Sequence, residues 1–154
     1  MTLSDNGIKF ITQWEGFSPT AYKDVAGYWT IGYGHLILPN EQHLMTATLT
    51  KEQAMAMKKK DAGIAEAAIR GQVLAPLNQN QFDALVSLIF NIGSGAFRDS
   101  TVKARINALD TEARITEAWQ RWKNAGGKTV PGLVNRRKAE TELFFTDEKK
   151  KPTP

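Results

Sequence analysis

Residues 21–38 read AYKDVAGYWTIGYGHLIL, a stretch in which aromatic and β-branched residues alternate with glycine. This is a strand signal interrupted by turn signals, and it predicts a small antiparallel sheet turning near Val25-Ala26-Gly27. The glycines at 27, 32 and 34 mark turns, or strand positions where a backbone or a ligand comes close. Upstream, Ser4 can cap a first helix that carries Ile8 and Ile11 and is ended by Gly16 and then Pro19. Downstream, everything after about residue 50 reads as helix. Thr50-Lys51-Glu52-Gln53 is a capping-box pattern opening a helix to about Arg70, closed by Gly71 and Pro76. The next helix, about 79–91, has Phe82, Leu85, Val86 and Ile89 at i, i+3, i+4 and i+7. It is apolar almost all round, as a buried central helix would be. Helices follow at about 100–109 and 111–124. Gly126-Gly127 then breaks the chain, and Pro131 suits the first turn of a last helix reaching about Phe145. The fold class is α+β and mostly helical, with a small sheet inserted early into a helical body.

The 154 residues, 42% apolar and 23% charged, fit one globular domain. The absence of cysteine excludes a disulfide framework, a thiolate metal site and a cysteine nucleophile. Two histidines, His35 and His43, leave little room for an imidazole metal centre, and no cofactor or metal is expected. No window approaches the roughly 20 apolar residues of a membrane span, so stable membrane insertion is not expected. Residues 1–17 lack the basic and apolar regions of a signal peptide, so the expected location is the cytoplasm. The net charge of +4 is uneven: residues 1–97 hold 7 Lys/Arg and 8 Asp/Glu, residues 98–154 hold 13 and 8. Such a basic half fits an anionic partner (nucleic acid, membrane surface, acidic cell-wall polymer) or simply a solvated basic face. Against nucleic acid, the lysine runs at 58–60 and 149–151 are not interleaved with aromatic residues and no binding motif is present. The tail DEKKKPTP reads as polar and frayed.

Several polar groups interrupt apolar stripes. Glu15 lies i+7 from Ile8 and i+4 from Ile11, between Trp14 and Gly16-Phe17. A carboxyl held against such neighbours loses hydration, which penalises its ionised form and suits a general acid; a helix end turned to water is the plainer reading. Asp61 falls on the stripe Ala54, Met57, Asp61, Ile64, Ala68 and needs a partner. His35 is the natural one, in an ion pair between sheet and helix. Arg136 and Glu140 have i, i+4 spacing and can pair on the surface; alternatively Arg136 or Arg137 turns inward to hold a catalytic carboxylate. Asp24 closes the strand just before the turn and Thr30 sits on the returning strand. Alone these are an ordinary turn residue and an ordinary β-former. Taken with Glu15 and a surface rich in Tyr and Trp, they form what glycoside hydrolysis requires: two carboxyls in unlike environments beside aromatic rings that can stack on sugars.

The motifs W-E-G-F at 14–17, Y-K-D at 22–24 and G-Y-W-T-I-G-Y-G-H at 27–35 resemble the catalytic signature of the phage lysozymes (endolysins), glycoside hydrolase family 24. L-N-Q-N-Q-F-D-A-L-V-S at 77–87, F-N-I-G-S-G-A-F at 90–97 and P-G-L-V-N-R-R-K-A-E at 131–140 are also similar to that family, so the resemblance spans about residues 8–145. It implies an inverting muramidase that hydrolyses the β-1,4 bond between N-acetylmuramic acid and N-acetylglucosamine in peptidoglycan, for host cell lysis. Glu15 would be the general acid. Asp24 would stabilise the oxocarbenium-like transition state and help position a water that Thr30 orients. Acid and base would stand roughly 6.5–9.5 Å apart. Arg136 would pair with Glu15, with Arg137 as the fallback; His35 and Asp61 would link the lobes. Leu36, Phe90 and Ser100 would line the saccharide groove, although Phe90 reads equally well as core. The implied fold is a single lysozyme-like domain: one small β-containing lobe of about 13–60, one helical lobe of 1–12 plus 61–145, a long helix of about 51–70 joining them, a cleft between, and a polar tail over 146–154. A monomer released through a separate holin-type pore would complete the picture.

Two rivals differ in chemistry. A lytic transglycosylase would use one glutamate and no water, and Asp24 and Thr30 at family spacing argue against it. A non-enzymatic binding module would not need the three catalytic positions, all of which are intact.

Overall fold

A computed structural model describes residues 1–146. The expected polar tail and its lysine run at 149–151 lie outside the described residues. The chain divides into two compact units, Ile8–Gly63, and Met1–Gly7 together with the chain from Ile64 on. The class is α+β and mostly helical.

In the first unit, helix α1 (Asp5–Thr12) crosses the unit boundary and leads into strand β1 (Ser18–Lys23). The sheet continues with β2 (Trp29–Gly32) and β3 (His35–Leu36), antiparallel in the order β1-β2-β3. Tyr22 stands opposite Thr30, and Thr30 opposite Leu36. A 3-10 helix, Pro39–Thr46, follows, and Ile31, Ile37 and Leu44 form the buried core of this unit with Met45, Leu49 and Met57 around them. Helix α2 (Lys51–Asp61) opens with a reciprocal capping box: Thr50 Oγ1 accepts from Gln53 N at 3.1 Å, and Gln53 Oε1 accepts from Thr50 N at 2.9 Å. Helix α2 packs on the sheet at Gly32, whose φ of +69° suits glycine and whose missing side chain would stand 3.1 Å from the Ala54 Cβ.

The single helix expected over 51–70 is two. Helix α2 stops at Asp61 and α3 (Gly63–Gln72) begins after Ala62, whose N–H is shared between the carbonyls of Lys58 and Lys59 at 3.1 and 3.3 Å. A shared N–H of this kind is a tightened terminal turn, and Gly63 is a poor helix-interior residue. The buried stripe is accordingly displaced by one residue for most of its length. Ala54, Lys58, Ala62, Ala65 and Ile69 are buried, whereas Ile64, expected on the core face, is 76% exposed.

The second unit is built on α4 (Gln79–Ile92), in which every residue from Phe82 to Ile89 is buried. Asn78 and Gln81 close a second capping box at its start. Short helices α5 (Ser94–Arg98) and α6 (Thr101–Asn107) precede α7 (Glu112–Gln120) and α8 (Pro131–Phe144). Where a helix was expected to run to 124, α7 ends at Gln120 and the ribbon β4 (Asn124–Ala125) and β5 (Lys128–Thr129) turns at Gly126-Gly127, both at positive φ. Helix α4 packs on α8, and α7 on α6 and α8, with the Trp119 and Phe144 rings edge to face at 5.2 Å. Ser4 caps α1 as its sequence suggests: its hydroxyl accepts from Gly7 N at 2.9 Å while donating to Asp83, a carboxylate buried on α4. Gly7 is needed there because a Cβ would meet Asp83 Cγ at 2.6 Å.

Candidate active site

Glu15 lies three residues beyond the last residue of α1, in a turn where its N–H reaches Thr12 O at 3.3 Å. It is therefore not on the helical stripe that sequence spacing assigned to it; α1 stops at Thr12 and the chain goes on in i→i−3 turns, Trp14 N to Ile11 O at 3.0 Å and Glu15 N to Thr12 O. Glu15 nevertheless remains three-quarters buried, with a side chain 23% exposed. With Gly16, Phe17, Ser18, Tyr22 and Gly34 it lines an open hollow of about 330 Å³. Phe17 is fixed from behind by the Tyr33 ring at 5.3 Å and by the Lys51 ammonium 5.9 Å above it. The Lys58 ammonium lies 3.7 Å from Glu15 Oε1.

Asp24 and Thr30 belong to the same hairpin and are tied to one peptide group. Asp24 Oδ1 accepts from Ala26 N and Tyr28 N, both at 2.9 Å, which holds the carboxylate in one orientation. Tyr28 O accepts in return from Asp24 N at 2.9 Å and from the Thr30 hydroxyl at 3.0 Å. Asp24 is thus a turn residue, the bland reading of the sequence, and at the same time a carboxylate held rigidly at the mouth of the hairpin. Thr30 is buried, and its one hydroxyl proton is committed to Tyr28, so what it offers a further group is its lone pairs. Around the hairpin Tyr22, Tyr28 and Trp29 are exposed, apolar surface of the kind that stacks on sugar rings.

His35 links α2, β3 and the 3-10 helix. Its Nδ1 is 2.7 Å from Asp61 Oδ2 and its Nε2 is 2.9 Å from Glu41 Oε1. All three residues lie within Ile8–Gly63, so this is a tie inside one unit, whereas a link between lobes was expected. With a carboxylate at each nitrogen, the ring is best satisfied as the doubly protonated cation. Burial pulls its pKa down, but hydrogen bonds and charge from Asp61 and Glu41 outweigh this, and the net result lies above the ordinary 6.5. Glu41 is held below its ordinary 4.5, first by the Leu38 N–H and, against its desolvation, by His35. The raised histidine contributes stability that is complete below about pH 6.5 and fades as pH rises through its folded-state value; the depressed Glu41 contributes above about pH 4.5 and fades on acidification. The melting temperature lost in His35→Asn should therefore be largest near pH 5.5 and shrink steadily as the medium is made alkaline. A loss that stays constant across that range would contradict the charged assignment.

The remaining sequence candidates fall as follows. Leu36 is exposed on β3 directly opposite Thr30. Phe90 is half-buried on α4. Ser100 is 7% exposed, and its hydroxyl already donates to Phe97 O at 2.7 Å and caps α6 by accepting from Lys103 N at 3.1 Å. Arg136 and Glu140 do pair at i, i+4, but in the interior and not on the surface. Glu140 is fully buried and receives Arg136 Nε at 3.2 Å, Arg137 at 3.1 Å, Trp119 Nε1 at 3.0 Å and the Ser87 hydroxyl at 2.5 Å. Arg137 also reaches Asn91 at 2.9 Å. Sequence reasoning missed Lys58 and Glu41. Lys58 could have been found from its i+4 position after Ala54, on a face that buries; Glu41 sits in a 3-10 segment that carries no periodic signal.

Two carboxyls of unlike setting, a rigid hydroxyl acceptor and exposed aromatic rings thus lie in one small unit. The phage lysozyme sequence family matches residues 12–140. The endolysin of Acyrthosiphon pisum secondary endosymbiont phage 1 is 40% identical over 147 residues, 94% of this chain and 98% of its own length. Among solved structures, a mutant of P22 lysozyme superposes with a TM-score of 0.86 at 39% identity over 95% of this chain and 99% of that one. The muramidase domain of SpmX from Asticaccaulis excentricus follows at 0.83 and 35% identity, again over 95% and 99%. The chain belongs to the phage lysozyme family.

Proposed function

We propose that this phage-type lysozyme, a peptidoglycan-degrading glycoside hydrolase, cleaves the β-1,4 bond between N-acetylmuramic acid and N-acetylglucosamine with inversion, using Glu15, Asp24 and Thr30. The observation that carries the reading is the hairpin in which Asp24 and Thr30 share Tyr28. Protonated Glu15 gives its proton to the leaving glycosidic oxygen. On the opposite side of the sugar, a water can donate one hydrogen to the Asp24 carboxylate and the other to the lone pairs of Thr30 Oγ1. Its own lone pair is then aimed at the anomeric carbon. Asp24, ionised, also stabilises the positive charge that develops there. Leu36, Phe90 and Ser100 are proposed to contact the glycan, with Ser100 limited to what its helix-capping hydroxyl still presents. Arg136 supports the fold of its own unit through Glu140, and His35 with Asp61 that of the other.

The same proposal has the two units acting as one catalytic domain, a monomer kept in the host cytoplasm until a separate holin-type pore gives it access to the wall. No helix among the described residues is long and apolar enough to cross a membrane. Mass analysis of fragments from isolated peptidoglycan, with NMR of the first-formed anomer, tests the chemistry. The expected products carry hydrated, reducing N-acetylmuramic acid ends in the α configuration. Anhydro ends, one water lighter, would mean a transglycosylase, and a first-formed β anomer would mean retention.

A further inference from the structure

We infer that Lys58 is a positioning residue for Glu15, a fixed ammonium that holds the carboxyl in the hollow and stabilises the charge left on it once its proton has gone. The inference rests on Glu15 being the general acid. Lys58 is buried, in line with Ala54 and Ala62 on the core face of its helix, whereas its neighbours Lys59 and Lys60 are exposed. A lysine gives up its hydration in this way only against a counter-charge. Its Nζ lies 3.7 Å from Glu15 Oε1, with side chains 10% and 23% exposed. Gly34, whose φ of +83° suits glycine, lies beside it, at ordinary contact distance from Nζ. Two elements thus converge on one charge pair, α2 supplying the cation and the turn after α1 the carboxyl, with the β2–β3 turn packed beside them. Among the described residues that line the hollow, Tyr22 from β1 is also titratable, and His35, next to Gly34, is engaged by Asp61 and Glu41.

At 3.7 Å Lys58 acts through charge and not as a hydrogen-bond donor to that oxygen. In the reacting complex the Glu15 O–H bond breaks, a new O–H bond forms on the glycosidic oxygen, and the ammonium keeps all its protons. Glu15 passes from neutral to negative during this step, so its attraction to Lys58 is stronger in the transition state than in the ground state. An interaction of that kind raises kcat and leaves KM nearly unchanged.

Lys58→Met tests this, since methionine is unbranched, fills the same buried channel and brings no charge. The expected result is a folded protein whose kcat on peptidoglycan falls by about 10- to 100-fold while KM changes by less than about threefold. In a Glu15→Gln background the same change should cost nothing further, because there is no proton donor left to assist. A kcat loss below about threefold, a loss carried by KM, or an equal further loss in the Glu15→Gln background would each overturn the inference. If the methionine variant does not fold, Lys58→Gln is read by the same criteria. Should Glu15→Gln alone stay within about tenfold of the parent, the assignment of the acid fails, whatever Lys58 does.

Discussion

Glu140→Ala is expected to lower stability by about 3–5 kcal/mol, because it removes the buried carboxylate on which two buried guanidinium groups converge. Arg136 and Arg137 both converge on this carboxylate from the same helix, and Trp119 and Ser87 donate to it from α7 and α4. The carboxylate therefore pins three helices at the point where α4, α7 and α8 meet. Its removal also leaves the Trp119 and Ser87 donors without this acceptor, and stranded buried donors add their own desolvation cost. Against a total folding stability of roughly 5–15 kcal/mol this is a large fraction. For a chain of this length it should appear as a fall in melting temperature of about 6–20 °C. Glu140→Gln, which keeps the shape and an acceptor but not the charge, should lose less. A melting temperature within about 2 °C of the parent for the alanine variant would show that the arginines find other partners, and the network would then have no structural weight.

This network also shows where sequence reasoning stops. The i, i+4 spacing of Arg136 and Glu140 is the same whether the pair faces water or the interior; what decides is Ser87, some 50 residues away, and the Trp119 indole. Asp83 is a similar case, a carboxylate on the most apolar helix whose partner, Ser4, lies 79 residues earlier in the chain. Features set by neighbours in sequence were legible. The Thr50–Gln53 box, the start of α8 at Pro131, the buried run of α4 and the hairpin around Val25-Ala26-Gly27 all stand where local pattern puts them. The site was legible in its residues more than in its geometry. Asp24 and Thr30 could be named, but their common attachment to Tyr28 O could not. Glu15 was chosen for a helical position it does not hold. Lys58 was overlooked because a lysine inside the run Lys58-Lys59-Lys60 looks like solvated surface, although its i+4 position after Ala54 puts it on the face that buries.

The second large effect is on catalysis. Glu15→Gln keeps the size of the side chain and its place in the hollow but has no acidic proton to give. The leaving sugar must then depart as an alkoxide, and positioned general acids ordinarily contribute about 10²–10⁴-fold. That loss corresponds to roughly 3–5 kcal/mol of transition-state stabilisation. Binding of the glycan depends on the hollow and the aromatic surface, which the change leaves in place, so KM should move little. The change also removes the charge that faces the buried Lys58 ammonium, so the variant should stay folded but melt somewhat lower than the parent.

The most direct test is therefore the rate at which purified Glu15→Gln releases reducing ends from isolated peptidoglycan, measured beside the parent, with melting temperature recorded on the same samples. A folded variant whose turnover falls by at least about 10²-fold is the predicted result. A folded variant that still releases fragments within about tenfold of the parent would contradict the assignment of Glu15 as the acid, and with it the mechanism built on this hollow.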